Sequence, residues 1–298
     1  MNIAVPRMPG PGREGQPGAN ATGGPTRGQI SIRNVTKIYG PEGVNVMAVD
    51  NCSMEIAAGE VCMIVGPSGC GKTTLLNAIA GFHSITSGEI YLDGELLCGP
   101  GKPKAEQCAD RIVVFQHGAL FPWMTLAENV AYGPMVQGKL RKREAIEKAF
   151  HMLAEAGLGD FGGKYPGEVS SGMARRTEIV RALINNPKVL LLDEPYRAMD
   201  ALTKSIMHES LLEVYDRTKV TIFFITHDLD EAIFLGDRVH VVTTRPCKLK
   251  KTVDVTLSRP RNYQALSSEE FRLLVEEING AVHEEAIKAF QSGEREMA

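Results

Sequence analysis

The stretch "GPSGCGKTT", from Gly66 to Thr74, combines three glycines with a lysine and three hydroxyl side chains and matches G-x-x-x-x-G-K-[ST]. It follows the apolar run "VCMIV" and precedes the apolar-periodic "KTTLLNAIAGF", so strand, loop and helix arrive in the order a phosphate-cradling turn requires. The glycines let backbone N–H groups of Gly66, Pro67's neighbours Ser68 and Gly69, Cys70 and Gly71 turn inward, and the helix adds its positive N-terminal end. Lys72 is placed to reach the β and γ phosphates of a nucleotide, and Thr73 to offer its hydroxyl to Mg²⁺. A second apolar run, "VLLLDEP", ends in two carboxylates. Asp193 is expected beside the metal, with Glu194 positioned to polarise a water aimed at the γ phosphate.

Two more polar residues close apolar runs in the same manner. Gln116 ends "RIVVFQ" and His227 follows "TIFFIT", so each is expected at the carboxyl edge of a sheet, where open α/β folds hold their ligands. Taken singly, a histidine or glutamine at such a place is more often structural; their common placement makes them candidates here.

The elements that must position these groups follow from periodicity. Continuous buried runs alternating with helical patterns predict a largely parallel sheet covered by helices on both faces. Before them, "ISIRNVTKIYG", "MAVDNCSMEI" and "GEIYLDG" read as antiparallel strands. From Gln116 to about Pro187 the pattern is mainly helical, which predicts an inserted subdomain over about 117–187. Residues 1–28 are rich in Gly and Pro and read as a disordered tail. Residues 246–298 read as an extension ending in an amphipathic helix, "SSEEFRLLVEEINGAVHEEAIKAF", for which packing or a partner surface is the expectation.

Composition narrows the class further. A net charge of −3 over 298 residues argues against holding nucleic acid by broad phosphate neutralisation. The longest apolar runs fall far short of the roughly 20 residues that span a bilayer. The six cysteines, 52, 62, 70, 98, 108 and 247, contain no Cys-x-x-Cys pair and read as reduced thiols serving mainly as packing, Cys70 as a small residue that fits its loop.

Together these motifs resemble the ATP-binding subunit of ABC transporters, from about Gln29 to Arg245. The resemblance implies an α/β fold: a P-loop NTPase core with a mainly parallel sheet, an antiparallel β subdomain and an inserted helical subdomain. It makes Tyr39 the residue that stacks on adenine, Gln116 the Q-loop residue and a Mg²⁺ contact, "VSSGM" the signature motif, Asp200 the end of the D-loop, and His227 the switch histidine. It further implies a head-to-tail dimer, in which Ser170, Ser171 and Gly172 of one copy cap the ATP held by the other. "FQHGALFPWMTLAENVAYG" and "THDLDEAIFLGDRV" are most similar to the nitrate, sulfonate and taurine importer group. Such a machine sits on the cytoplasmic face of the inner membrane, with two permease subunits, a second ATP-binding subunit (an identical chain or a paralogue) and an extracytoplasmic solute-binding protein.

The chain departs from the family pattern at the interface. Leu-Ser-Gly-Gly becomes Val169, Ser170, Ser171, Gly172, and Phe-Gly-Ala-Leu-Asp becomes Tyr196, Arg197, Ala198, Met199, Asp200. Two further readings therefore stay open: a degenerate regulatory subunit that binds ATP and hydrolyses little, and a soluble ABC ATPase without transport. A single phosphate loop speaks against the second, since such proteins often fuse two. If Ser171 needs φ > 0, its side chain costs on the order of 1–2 kcal/mol; if φ is negative, little.

Overall fold

The computed structural model describes residues 27–40, 45–197 and 199–291, so the Gly/Pro-rich reading of the N-terminus lies outside the described residues up to position 26. Where the description begins, the backbone N–H groups of Gly28 and Gln29 donate to Asp93 Oδ1 at 2.6 and 3.0 Å, tying the entry of the chain to a turn 65 residues later.

Two sheets carry the molecule. Strands β1 (Ile30–Tyr39), β2 (Val46–Ile56), β4 (Ser87–Leu92) and β5 (Glu95–Cys98) form an antiparallel sheet in the order β2-β1-β4-β5. The second sheet has β3 (Val61–Val65), β6 (Arg111–Val114), β7 (Val189–Asp193), β8 (Thr221–Thr226), β9 (Arg238–Val242) and β10 (Leu249–Asp254) in the order β10-β9-β3-β8-β7-β6. All its pairings are parallel except that of β10 with β9. β10 thus adds an antiparallel edge from within the stretch read as an extension.

The continuous apolar runs are explained by burial on both faces. Val61, Met63 and Val65 of β3 point into one core with α5 (Ala201–Thr218), α6 (Leu229–Leu235) and α7 (Glu269–Gln291). Cys62 and Ile64 point into the other, shared with α1 (Lys72–Ala80) and the antiparallel sheet. Alternation along one strand therefore feeds two cores.

Between β6 and β7 lie α2 (Leu126–Val136), α3 (Lys142–Glu155) and α4 (Ser171–Leu183), which share a core of their own around Leu126, Val130, Ala149, Leu153 and Val180. Thr125 starts α2 with a reciprocal cap: Glu128 N–H donates to Thr125 Oγ1, and Thr125 N–H donates to Glu128 Oε2. Helix α7 is no loose appendage. Phe271, Leu274 and Ile278 are buried in the main core, and the buried Glu285 carboxylate accepts from Thr244 N–H and pairs with Lys250 and Lys288.

Candidate active site

β3 runs into the phosphate loop. Gly71 caps α1 at φ 116°, and a Cβ there would meet the Ala48 carbonyl oxygen at 2.3 Å, so only glycine fits between the loop and β2. Lys72 is buried and donates from Nζ to the carbonyl oxygens of Gly66 (2.8 Å) and Pro67 (2.7 Å), which fixes its ammonium on the inside of the loop. Cys70 Sγ lies 3.8 Å from the same Nζ. A hydrogen bond with the Cys247 thiol and the Lys72 charge outweigh burial and hold the Cys70 thiol down at about 7.

β7 delivers the carboxylates because its pairing with β8, itself paired with β3, ends level with the loop. Thr73 Oγ1 donates to Asp193 Oδ1 at 3.3 Å. Burial, with help from the Glu194 charge, raises the Asp193 carboxyl above its ordinary range despite Thr73 and Lys72. A hydroxyl and a buried, charge-starved carboxylate are hard oxygen ligands, and this pair fits a small divalent cation. Glu194 stands at φ 42°, a left-handed backbone unusual for its type, and is held there by its N–H donating to Ile225 O at 3.0 Å. Its Oε2 lies 3.3 Å from His227 Nδ1 and 3.3 Å from Arg197.

One cavity of about 590 Å³ is lined by Tyr39, the loop from Gly66 to Thr74, Gln116, Glu194, Arg197 and His227, and Asp193 is outside that lining, bonded to Thr73. Lys37 Nζ lies 4.8 Å from the Tyr39 ring centroid, so one face of that ring sits under a cation. Gln116 lies two residues past the end of β6 and is half-buried.

Ser170, Ser171, Gly172 and Asp200 do not line this cavity. Ser170 is the N-cap of α4, its Oγ accepting from Met173 N–H, and Ser170 and Ser171 are exposed. Asp200 caps α5 by accepting from Thr203 N–H at 2.9 Å. Ser171 instead lines a neighbouring hollow, which shares Gln116 and Arg197 with the cavity.

A family model described as ABC transporter matches residues 49–197. A nitrate import ATP-binding protein of Synechocystis is 40% identical over 84% of this chain and 93% of its own. The chain belongs to the ABC transporter ATP-binding family. A taurine import ATP-binding protein of Roseobacter denitrificans is 43% identical over 74% of this chain and 80% of its own. Among solved structures, an ATP-binding cassette described as a dimer in a post-hydrolysis state with ADP and phosphate superposes with a TM-score of 0.66 at 29% identity, covering 77% of this chain and all of that one. The chain is accordingly an ATP-binding and ATP-hydrolysing transporter cassette.

Ser171 can now be judged. It is the first residue of α4 and is absent from the positive-φ positions, so its backbone is that of any helical residue. No left-handed penalty applies. Serine and glycine differ in helix propensity by about 0.5 kcal/mol, a factor of about two. Ser171→Gly should therefore change steady-state ATP hydrolysis by less than about twofold; a gain of tenfold would mean that the side chain obstructs the closed dimer.

Arg197 behaves differently from a bystander at the rim. Its guanidinium meets the same Glu194 oxygen as His227, with its side chain 46% exposed. Such half-exposed pairs contribute up to about 1 kcal/mol. Arg197→Ala frees the carboxylate to turn toward a water and should raise hydrolysis by up to about fivefold. A tenfold loss in that variant would place Arg197 among the groups the reaction needs.

Three groups escaped the sequence reading. Arg245 donates to Gly69 O at 3.0 Å and lines the cavity, because β9 runs parallel beside β3 and ends at the loop. Its signal was the basic residue just beyond the buried run "RVHVV". Arg175 and Glu178 of α4 form a buried pair at 2.6 Å; Arg175 donates to the Phe115 and Gln116 carbonyls, and Glu178 accepts from Ala119 N–H. The Gln116 loop is thereby bound to α4, the helix that begins at Ser171. Charges at i, i+3 in "RRTE" read as an ordinary helix surface.

Proposed function

We propose that this chain is the engine of an importer for a small anionic solute, nitrate or a sulfonate such as taurine. The observation that carries the reading is the division of the site: Lys72, Thr73, Glu194 and His227 line one cavity, with Asp193 hydrogen-bonded to Thr73, while Ser170–Gly172 take no part in its lining. A second ATP-binding subunit, the same chain or a paralogue, is needed to bring a signature turn onto each phosphate loop. Two copies closing head to tail sandwich two nucleotides, and hydrolysis reopens them.

In this reading Tyr39 stacks on adenine, backbone N–H groups from Gly66 to Thr74 and the start of α1 bind phosphate oxygens, and Lys72 offsets their charge. Thr73, Asp193 and Gln116 hold Mg²⁺, which when bound neutralises charge developing on the phosphates. Glu194 polarises the attacking water, and His227 orients that carboxylate and touches the γ phosphate. Ser170, Gly172 and Asp200 serve the partner's site.

The permease side of the reading rests on a largely apolar hollow of about 890 Å³ lined by Phe115, Phe121, Tyr132 and Arg181, with Trp123 beside it 69% exposed. It adjoins the Gln116 loop, so a permease helix seated there feels the position of Gln116 through Arg175 and α4. The complete assembly holds two permease subunits, lies on the cytoplasmic face of the inner membrane and receives solute from an extracytoplasmic binding protein. No described helix is long and apolar enough to cross a membrane. A regulatory subunit with little turnover is the second reading, and the Arg197–Glu194 contact favours it.

Co-expression with the permease genes adjoining its own tests the proposal. Expected are a detergent-stable complex and ATP-dependent uptake of nitrate or taurine into proteoliposomes loaded with the matching binding protein. A complex that hydrolyses ATP and moves neither solute would remove the solute assignment.

A further inference from the structure

A polar cluster lies inside the second core, on the far side of β3 from α5 and α6. Glu60 and Cys62 are two residues apart and so share a face, and His240 lies on the same face of β9, opposite Ile64. All three are buried, at 7%, 0% and 2% exposure. Their ligand atoms lie within 4.8 Å of one another.

Two of these atoms lack a partner. Glu60 Oε2 accepts from Ala57 N–H (2.7 Å) and from Arg238 (3.5 Å), but Oε1 has none. His240 Nδ1 is 2.9 Å from Thr252 Oγ1, on the strand position directly across from it, while Nε2 has none. A buried polar atom without a partner is destabilising, so each of these two calls for a ligand. With Nδ1–H donating to Thr252, the Nε2 lone pair is free, which is the tautomer and outer hydrogen bond that metal-binding histidines use.

We propose that Glu60, Cys62 and His240 form a binding site for one divalent cation of the zinc class. Carboxylate, thiolate and imidazole from three positions are a ligand set for this borderline-soft ion, leaving its fourth position to water. Binding converts the Cys62 thiol to a thiolate and releases its proton to solvent, so one carboxylate and one thiolate neutralise the 2+ charge. The charge of Arg238 works against the ion, but its guanidinium is shared between Asp254 at 2.8 Å and Glu60 Oε2 at 3.5 Å, which leaves Glu60 Oε1 free. The ion would tie the turn before β3 to β9, at the root of the strand that carries the phosphate loop. The site is independent of the transport reading.

The test uses the full chain, reduced, stripped with a chelator and freed of it, then titrated with Co²⁺ as a spectroscopic stand-in for Zn²⁺. One equivalent should produce a thiolate-to-cobalt charge-transfer band and tetrahedral d–d bands, both removed by Zn²⁺. Cys62→Ser should abolish the charge-transfer band, and His240→Ala should weaken binding by at least about tenfold. Cys247→Ser should leave both signals intact, which excludes a site built on that thiol. The parent spectrum stands even if a variant misfolds. Absence of the band in the parent, as a bridging water at the site would give, overturns the proposal; so does a band that survives in Cys62→Ser.

Discussion

Glu194→Gln will retain ATP and lose its hydrolysis. The amide keeps the shape of the side chain, and the backbone at φ 42° stays pinned through Ile225, so the cavity is unchanged. What disappears is the acceptor that draws a proton from water, a loss of about 10²–10⁴ in turnover for a general base. Because binding precedes hydrolysis, the variant should accumulate as an ATP-bound dimer, visible by size-exclusion chromatography with ATP present. Steady-state turnover within about threefold of the parent would assign the base elsewhere.

The second large effect is expected from Lys72→Ala. Lys72 is 5% exposed and donates to two loop carbonyls, so its ammonium already lies where phosphate oxygens must come. Charge-assisted hydrogen bonds are each worth about 1.5–3 kcal/mol, and losing one or two weakens nucleotide binding by about a hundredfold or more. Fluorescent-nucleotide titration measures the loss, and the thermal midpoint of the nucleotide-free protein guards against a folding explanation. Parent-like affinity would remove the phosphate-loop assignment.

How far the sequence reached can be seen strand by strand. "VCMIV", "VLLLD" and "TIFFIT" are buried on both faces, and each run delivers its functional residue at the carboxyl end: Gly66, then Asp193 and Glu194, then His227. One-dimensional spacing suffices there, because a parallel sheet puts every such end on one edge. It fails where the chemistry depends on which strands are neighbours. Arg245 reaches Gly69 only because β9 lies beside β3, and Arg197 meets Glu194 through side-chain geometry beyond the end of β7. The Arg175–Glu178 clamp was hidden for a different reason, since charges at helical spacing look alike whether they face water or a buried loop. Ser171 was the opposite case: its type left two outcomes open, set by the sign of φ, and its helical backbone selects the one with little cost.

The central claim is that the chain, departures included, is a working ATPase and not a degenerate half. It is tested by Mg²⁺-dependent ATP hydrolysis of the purified chain reconstituted with its own permease subunits, beside Glu194→Gln and the Ser171→Gly/Arg197→Gly double variant. The account predicts turnover in the parent, its loss in Glu194→Gln, and a change of no more than about tenfold in the double variant. A parent without detectable turnover, and still without it in the double variant, would contradict the account and leave an ATP-binding regulatory subunit in its place.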